Sequence, residues 1–392
     1  MLIGIVGKTN VGKSTFFSAA TLLPVEIANR PFTTIKPNRG IAAIRSPCVC
    51  REMGVKDEVC TNGVRFTPVE LIDVAGLVPG AHQGRGLGNK FLDDLRQADV
   101  FIHVVDASGS TDPEGRLIGP GTFNPLDDVK FLEYEMNEWI AGIVSKDWER
   151  WAKQLELKAI ESTSAIAERL SGLGFDKRSV EQAMVKNMLV TKKLSVWSME
   201  DIRSFSTDLR RIGKPSVIAA NKADIPASEP LIQDMRRHLD EPVIPVISEA
   251  ELALKRAVQK GLIIYRPGDR TFQTADQKVT PALQGPLEKL AQLLKKHGGT
   301  GVQDALEAAV FKSYGGIIVY PVEDTSKFTD KNGRVLPDAF ILRKGSKPKD
   351  LARKVHSELA ERFAYAIDAR TKQRLSAQYE LKDGDIIKIV AG

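Results

Sequence analysis

The chain has 392 residues and a formal net charge of +6, and 42 % of its residues are hydrophobic. This length suggests two or three domains, and because no run approaches 18 consecutive apolar residues we expect no membrane span and no membrane partner. An apolar strand is predicted from residue 2, which leaves no room for a signal peptide, and an odd number of cysteines, three, favours a reducing cytoplasm.

The first predicted element is a short apolar strand, Leu2 to Val6, which leads directly into the motif G-x-x-x-x-G-K-[ST]. The glycines of this motif let the backbone bend, so that successive N–H groups point inward at phosphate oxygens. Lys13 is expected to reach the β- and γ-phosphates, and the Ser14 hydroxyl to bind Mg²⁺. A helix predicted from Ser14 completes the strand–loop–helix context that the motif requires. The predicted nucleotide-binding residues here are Gly7, Lys8, Thr9, Asn10, Val11, Gly12, Lys13, Ser14 and Thr15.

The next notable segment carries the three cysteines, Cys48, Cys50 and Cys60. They could supply thiolates to a metal ion, but a fourth ligand is missing nearby. We therefore favour a plain loop or strand role for this segment.

The segment 69–76 is predicted as a strand that ends in the motif D-x-x-G. Asp73 can hold a water molecule on Mg²⁺, and the Gly76 N–H can meet the γ-phosphate. We therefore place Asp73 among the metal-binding residues, and Gly76 with Lys13 among the catalytic ones. A second apolar strand is predicted at Val100–Asp106.

Far more residues separate this second strand from the next motif than a minimal nucleotide-binding domain needs. Residues 111–125 are rich in Gly and Pro and predict a linker or loop. Residues 126–170 and 176–210 have helical periodicity, and Gly172 and Gly174 separate them. The pattern predicts an inserted antiparallel hairpin of two long, coiled-coil-like helices. Its role is open between simple self-packing and a partner-binding arm.

The motif N-K-x-D follows an apolar strand predicted over residues 216–220. The Asp224 carboxylate can accept the ring N1–H and the exocyclic amine of guanine, whereas adenine presents an acceptor at the matching ring position. Lys222 is expected to lie along the base and brace the phosphate loop. One more strand leads to a Ser-Glu-Ala turn that could offer an N–H to guanine O6. The predicted base-reading residues are Asn221, Lys222, Asp224, Ser248, Glu249 and Ala250.

Helical stretches are predicted to about residue 313, and the last part of the chain then changes character. A helix is predicted over 349–362, and strands are predicted over 317–322, 339–343 and 383–390. Between Arg343 and Arg374 there are ten Lys or Arg against four Asp or Glu. This concentration favours contact with RNA phosphates. The alternative is a module that merely has a charged helix face.

Over essentially its whole length the sequence resembles the YchF subfamily of the Obg-like, translation-factor-class P-loop GTPases. The four motifs carry this resemblance together with the stretches 29–38, 73–82 and 84–89. It implies an α/β P-loop fold with a doubly wound, mostly parallel sheet, an inserted α-helical hairpin and a C-terminal β-grasp domain of the TGS type. The implied domains are a GTPase domain in two parts, an inserted arm and a TGS domain, at residues 1–110 with 213–313, 111–212 and 314–392. The intact N-K-x-D motif and the cysteine-bearing segment 46–62 resemble archaeal members.

The resemblance also suggests where the switch segments lie. Residues 29–38 correspond to switch I, whose second paired threonine, Thr34, coordinates Mg²⁺ in such proteins, and switch II begins at Asp73. Leu77 stands where Ras-like GTPases carry the glutamine that orients the attacking water, so catalytic help must come from elsewhere. The candidate that the resemblance supplies is His82, because a neutral imidazole can accept a proton or orient a water. A solvated switch residue is the alternative.

Asn10 is a second candidate for catalytic help. In several GTPases with a similar loop and no catalytic glutamine, an asparagine at this position helps to bind K⁺, which takes the place of an arginine finger's charge. We therefore expect a cytoplasmic, monomeric GTPase that binds GTP, GDP, Mg²⁺ and K⁺, turns over slowly alone, and engages the ribosome or its RNA. Two alternatives stay open: a YchF-type ATPase, and a nucleotide-stabilised RNA- or ribosome-binding protein whose hydrolysis is incidental.

Overall fold

The computed structural model describes residues 1–21, 38–74, 80, 96–275 and 280–392. Contacts divide the chain into two compact units: the first is Met1–Ala42 with Glu70–Ala309, and the second is Ala43–Val69 with Val310–Gly392. Among the helices within the described ranges, none is long and apolar enough to cross a membrane.

The elements are numbered here in chain order. The strands are β1 (Leu2–Val6), β2 (Asn38–Pro47), β3 (Cys60–Thr61), β4 (Val64–Asp73), β5 (Val100–Asp106), β6 (Ser216–Asn221), β7 (Val243–Val246), β8 (Ile263–Ile264), β9 (Gln273–Thr274), β10 (Gly316–Pro321), β11 (Phe340–Arg343), β12 (Phe363–Asp368), β13 (Arg374–Leu375) and β14 (Ile386–Ala391). The α-helices are α1 (Lys13–Thr21), α2 (Cys50–Met53), α3 (Pro125–Ser145), α4 (Trp148–Leu157), α5 (Ser162–Arg169), α6 (Lys177–Lys186), α7 (Met199–Gly213), α8 (Ser228–His238), α9 (Ser248–Gln259), α10 (Pro281–His297), α11 (Val302–Glu307), α12 (Pro348–Val355) and α13 (Ser357–Glu361). Within the described residues there are also two 3-10 turns (Ser171–Leu173, Leu194–Val196) and a π-helical segment (Ala308–Ser313).

The first unit is built on strands in the order β4-β1-β5-β6-β7, and β4 belongs to this unit from Glu70 onward. All neighbours from β4 to β7 in this order pair in parallel. Strands β1 and β5 are buried at every residue, which is why their sequences are continuous apolar runs and not alternating ones. The predicted doubly wound, mostly parallel sheet is thereby confirmed. The carboxyl ends of its strands share one edge, the place where such sheets bind ligands.

The predicted helical insertion is confirmed, but it holds five α-helices, α3 to α7, in place of the two long ones expected. The periodic runs are broken where Asp147 and Ala159 adopt left-handed backbone, with φ of 52° each. Helix α7 packs on both α3 and α6. The rings of Trp148, Trp197 and Phe205 form part of a shared apolar core. The insertion is therefore a small helical bundle, and its first helix, α3, also packs against β5 of the first unit.

The second unit contains a sheet of order β11-β10-β14-β12-β13. Its central pair, β10 and β14, is parallel, and the flanking pairs are antiparallel. Helix α12 buries Leu351 against the face that carries Val319 and Leu342. This mixed sheet with a helix across it confirms the predicted β-grasp fold. The single helix predicted over 349–362 is two, because His356 is extended, with φ of −162° and ψ of 139°.

Candidate nucleotide-binding site

The loop between β1 and α1, which carries the phosphate-binding motif, lies tightly against the neighbouring strands. Gly7 and Gly12 have φ of 143° and 98°, a backbone conformation that favours glycine. A Cβ atom on Gly7 would lie 2.3 Å from the Val104 carbonyl oxygen, and one on Gly12 would lie 2.2 Å from Asn221 Nδ2. Both glycines are therefore required by the packing of the loop as well as by its curvature.

The ammonium group of Lys13 lies inside this loop. Lys13 is 9 % exposed, and its Nζ donates a hydrogen bond to the Lys8 carbonyl oxygen at 2.5 Å. Burial lowers the pKa of Lys13 to about 8, and the nearby Asp73 carboxylate opposes the shift. A buried ammonium that has a neutral carbonyl as its hydrogen-bond acceptor gains strongly from an anionic ligand.

The structure brings Ser14 and Asp73 together beside Lys13. The Ser14 hydroxyl donates to Asp73 Oδ2 at 3.2 Å, and Asp73 is only 1 % exposed. Its other oxygen, Oδ1, has no hydrogen-bond partner among the described residues. Burial raises the pKa of Asp73, while Lys13, Ser14 and Asn38 oppose that rise. A hydroxyl and a buried carboxylate with one unused oxygen are hard oxygen donors of the kind that Mg²⁺ takes.

Lys8 is held by residues that the sequence did not assign to the site. Its Nζ forms a buried ion pair with Asp128 of α3 at 2.8 Å and donates to the Thr111 carbonyl oxygen at 2.9 Å. The Phe123 ring centroid lies 4.0 Å from the same Nζ. Burial raises the pKa of Asp128 to about 6, although Lys8 opposes the rise. The first helix of the insertion therefore touches the phosphate loop directly.

The glycine-rich loop after β5 also contacts the phosphate loop. Thr9 Oγ1 donates to the Glu114 carbonyl oxygen at 3.1 Å, and Asn10 Nδ2 donates to the Gly115 carbonyl oxygen at 2.8 Å. Asn10 itself is left-handed, with φ of 61°. The predicted loop over 111–125 therefore forms one wall of the candidate site, which its composition did not indicate.

Asn221, at the end of β6, joins three parts of the site. Its Nδ2 donates to the Val11 carbonyl oxygen at 2.8 Å, and its Oδ1 accepts from the Ser248 N–H at 3.2 Å. Lys222 was expected to brace the phosphate loop, but the structure shows other contacts for its ammonium group. Within the described part of the chain, Lys222 Nζ contacts Asp106 Oδ2 at 2.7 Å and Ser110, not that loop. The side chain that contacts the phosphate loop is that of Asn221, through Val11.

Asp106 is a further residue of the site that sequence reasoning passed over. It is 1 % exposed and accepts hydrogen bonds from Lys222, Ser108 and Ser110. Burial opposes ionisation, but these donors hold the pKa of Asp106 below its ordinary value. The sequence did contain a signal for this residue, because Asp106, like Asp73, is the last residue of a buried parallel strand.

The remaining base-reading residues lie at the same edge. Asp224 is exposed three residues after the end of β6. Ser248, Glu249 and Ala250 open α9. Because the first amides of a helix have no partner within it, this turn can offer donors to a carbonyl oxygen such as guanine O6.

Three predicted site residues, Thr34, Gly76 and His82, lie outside the described residues, and their roles stay predictions. Gly80, which lies between Gly76 and His82 in the sequence, is described, and its N–H donates to Glu135 Oε1 at 2.8 Å. Glu135 belongs to α3, so the helix that holds Lys8 also holds this residue of the predicted switch II.

Three family models match this chain. The model described as "50S ribosome-binding GTPase" matches residues 2–138. The model described as "Obg-like GTPase YGR210-like, G4 motif-containing domain" matches residues 219–324. The TGS domain model matches residues 328–391.

Individual proteins match over most or all of the chain. An uncharacterized GTP-binding protein of Methanocaldococcus jannaschii is 50 % identical over 396 residues, covering 100 % of this chain and 99 % of that protein. The ribosome-binding ATPase YchF of Mycoplasma genitalium is 48 % identical over 291 residues, 72 % of this chain and 75 % of that protein. The crystal structure of a GTP-binding protein from Pyrococcus horikoshii is similar with a TM-score of 0.78 and 40 % identity, and the match covers 100 % of both chains. The chain therefore belongs to the Obg-like P-loop GTPases, in the YchF subfamily that carries a C-terminal TGS domain.

Proposed function

We propose that this chain is a cytoplasmic switch that binds and hydrolyses GTP and acts on the ribosome or its RNA. The observation that carries the choice of nucleotide is the position of Asn221. Its two hydrogen bonds, 2.8 Å to Val11 and 3.2 Å from Ser248, fix the start of the N-K-x-D turn against the phosphate loop. The Asp224 carboxylate then follows at the sheet edge, where it can accept the two donors of guanine.

Mg²⁺ is the proposed cofactor. The Ser14 hydroxyl and the unused oxygen of Asp73 suit a hard cation, with Asp73 acting through a water molecule and Thr34 as the ligand from switch I. When bound, the ion supplies charge stabilisation to the β- and γ-phosphates. Lys13 contributes its ammonium group to the same oxygens.

Two groups are proposed to assist hydrolysis in the absence of a glutamine at residue 77. His82 orients the attacking water, so His82→Ala should lower the turnover rate and leave GTP affinity nearly unchanged. An unchanged rate in that variant would contradict this role. Asn10 is the proposed K⁺ ligand through its amide oxygen, while its Nδ2 donates to the Gly115 carbonyl oxygen.

The nucleotide preference is tested by competition. Unlabelled ATP and GTP are each added to the protein with labelled GTP, and we expect GTP to displace the label far better, because a mismatched carboxylate against adenine costs a few kcal/mol. A YchF-type ATPase is the second candidate, since the Mycoplasma genitalium relative is named an ATPase. Displacement by ATP at the same concentration as GTP would favour that alternative.

A ribosome role is proposed from two observations. The matching model and the Mycoplasma genitalium relative are both named as ribosome-binding, and the segment from Arg343 to Arg374 is strongly basic. Several of its cationic side chains are exposed, namely Lys344, Lys349, Arg353, Lys354, Arg362, Lys372 and Arg374. Exposed cations on one module are what phosphate contact requires.

Co-sedimentation with ribosomes tests this role. The full chain should sediment with ribosomes to different extents with GDP and with a non-hydrolysable GTP analogue. Reversing Lys349 and Lys354 to Glu should weaken binding and flatten its salt dependence. Reversing two exposed cations of the first unit, Arg256 and Lys260, is the matched control. The proposal would be contradicted if the fraction that sediments with ribosomes changed neither with the nucleotide nor with the charge reversal at Lys349 and Lys354. If a variant that binds GTP but cannot hydrolyse it fully restored function in cells that lack this protein, the result would favour the alternative of a binding protein whose hydrolysis is incidental.

A further inference from the structure

The three cysteines of the chain meet at one place in the second unit. Their Sγ atoms all lie within 4.8 Å of one another. Cys48 and Cys50 are buried, Cys60 is partly buried, and all three are free thiols. Around a tetrahedral ion with metal–sulfur bonds of about 2.3 Å, sulfur atoms lie about 3.8 Å apart. The three thiols are therefore grouped at nearly the separation that one ion imposes.

The local fold explains why thiols that are spread along the sequence come together. The Cys48 N–H donates to the Gly63 carbonyl oxygen at 2.9 Å, which closes the loop. Cys50 begins α2, a single turn that ends at Gly54 with φ of 64°. Cys60 lies on β3, which pairs antiparallel with the start of β4. The returning hairpin thus carries Cys60 back to the other two.

A candidate fourth donor lies beside Cys48, although the sequence did not reveal it and its oxygens are not among the ligand atoms that all lie within 4.8 Å of one another. Asp57 is 5 % exposed, and its Oδ2 lies 3.2 Å from Cys48 Sγ. Tetrahedral zinc with a sulfur at about 2.3 Å and a carboxylate oxygen at about 2.0 Å separates those two ligands by about 3.5 Å. Arg65 Nη1 donates to this same Oδ2 at 2.7 Å, and the Val59 N–H donates to Asp57 Oδ1 at 2.9 Å. Such outer donors are the groups that orient metal ligands.

The chemistry of this set selects the ion and argues against a redox role. Thiolates prefer soft or borderline metals, and four-coordinate sites rich in cysteine are typical of structural zinc. Cys48 and Cys50 are buried, whereas a redox-reactive cysteine is accessible. With four protein ligands the site keeps no open position for a substrate.

We propose that Cys48, Cys50, Cys60 and Asp57 form a structural zinc site that fastens the segment 48–63 within the second unit. Arg65 connects this site to the rest of that unit, because its Nη1 also donates to the Leu336 carbonyl oxygen at 2.7 Å. Zinc bound here therefore holds both the hairpin and the arginine that reaches residues before β11. Since the site lies apart from the phosphate loop in sequence and in chemistry, the proposal is independent of the nucleotide.

The test measures metal directly. The full chain, purified under reducing conditions without a metal-affinity step, should contain one Zn²⁺ per molecule. Replacement by Co²⁺ should give thiolate-to-cobalt charge-transfer absorption and tetrahedral d–d bands. Removal of the metal with a chelator should lower the unfolding temperature, and Zn²⁺ alone should restore it.

Two variants and a control locate the ion. Cys60→Ser should abolish the charge-transfer bands or reduce Zn²⁺ affinity by at least about 100-fold, and Asp57→Asn by at least about 10-fold. Glu58→Gln, which changes the exposed neighbouring carboxylate, should bind as the unaltered chain does. If Cys60→Ser does not fold, the zinc content of the unaltered chain and the Asp57→Asn affinity still decide the question. The proposal is overturned if the reduced chain binds neither Zn²⁺ nor Co²⁺, or if Asp57→Asn and Cys60→Ser bind them with unchanged affinity.

Discussion

Replacing Asn221 by alanine perturbs the contact that joins the phosphate loop to the base-reading turn. Asn221 is 4 % exposed and makes two hydrogen bonds, to the Val11 carbonyl oxygen and from the Ser248 N–H. Each bond contributes about 1 kcal/mol net, and a buried backbone group left without a partner costs about 1–3 kcal/mol. We expect Asn221→Ala to lower the free energy of unfolding by about 2–4 kcal/mol, since water can reach part of the gap.

The same change should act on ligand binding, because the loop and the turn must be held together to contact one nucleotide. If the bound state loses about 2.7 kcal/mol more than the free folded state does, GTP affinity falls about 100-fold. Urea unfolding without nucleotide and titration with a fluorescent GTP analogue measure the two effects separately. Asn332→Ala, at an exposed asparagine, is the control and should change neither. An Asn221→Ala chain that unfolds at the same urea concentration as the parent and binds GTP within threefold would refute this reasoning.

Five further changes test other parts of the site. Asp224→Asn should reduce GTP affinity and improve binding of xanthosine triphosphate, because an amide can donate to the carbonyl that xanthine has in place of the guanine amine; unchanged GTP affinity in a competition assay would contradict the base assignment. Lys13→Ala should abolish GTP binding or turnover. Burial lowers the pKa of Lys13 to about 8 in the folded chain, so above that pH the unfolded chain binds more protons than the folded one. The free energy of unfolding, measured by urea titration, should therefore rise from pH 8 to pH 10 relative to that of Lys13→Met. Parallel pH profiles of the two chains would argue against a buried ammonium group. Asp128→Asn, which leaves Lys8 buried without its charge partner, should destabilise the chain by about 3 kcal/mol, read from urea midpoints, and a loss under about 1 kcal/mol would mean that Lys8 reaches solvent. Replacing K⁺ by Na⁺ should slow GTP hydrolysis if Asn10 binds the ion, and equal rates in the two salts would dispose of that role.

The sequence predicted those parts of the fold that short segments determine. Strands Leu2–Val6 and Val100–Asp106 have the predicted limits, because a buried parallel strand is a continuous apolar run that ends at a polar residue. The positions of Lys13, Ser14 and Asp73 relative to one another follow from parallel strands whose carboxyl ends share an edge. Local pattern and fold agree at these places.

The rest depends on contacts between distant residues. Helical periodicity did not reveal that Asp147 and Ala159 would turn left-handed and divide the insertion, because packing against a shared core decides that outcome. The partners of Lys8 and Lys222 were not predictable, since an ion pair depends on which carboxylate the fold brings near. The same holds for the thiols: their spacing along the chain is irregular, and only the hairpin that returns Cys60 shows that Asp57 stands beside Cys48.

Helix α3 connects the helical insertion to two loops at the candidate nucleotide-binding site. Asp128 in its first turn forms an ion pair with Lys8 of the phosphate loop. Glu135, two turns further on, accepts a hydrogen bond from the Gly80 N–H. A stiff helix cannot move one of these anchors and leave the other in place. A displacement of α3 that kept both contacts would move the phosphate loop and Gly80 together. Any coupling between the helical bundle and the nucleotide site through α3 would therefore act in both directions.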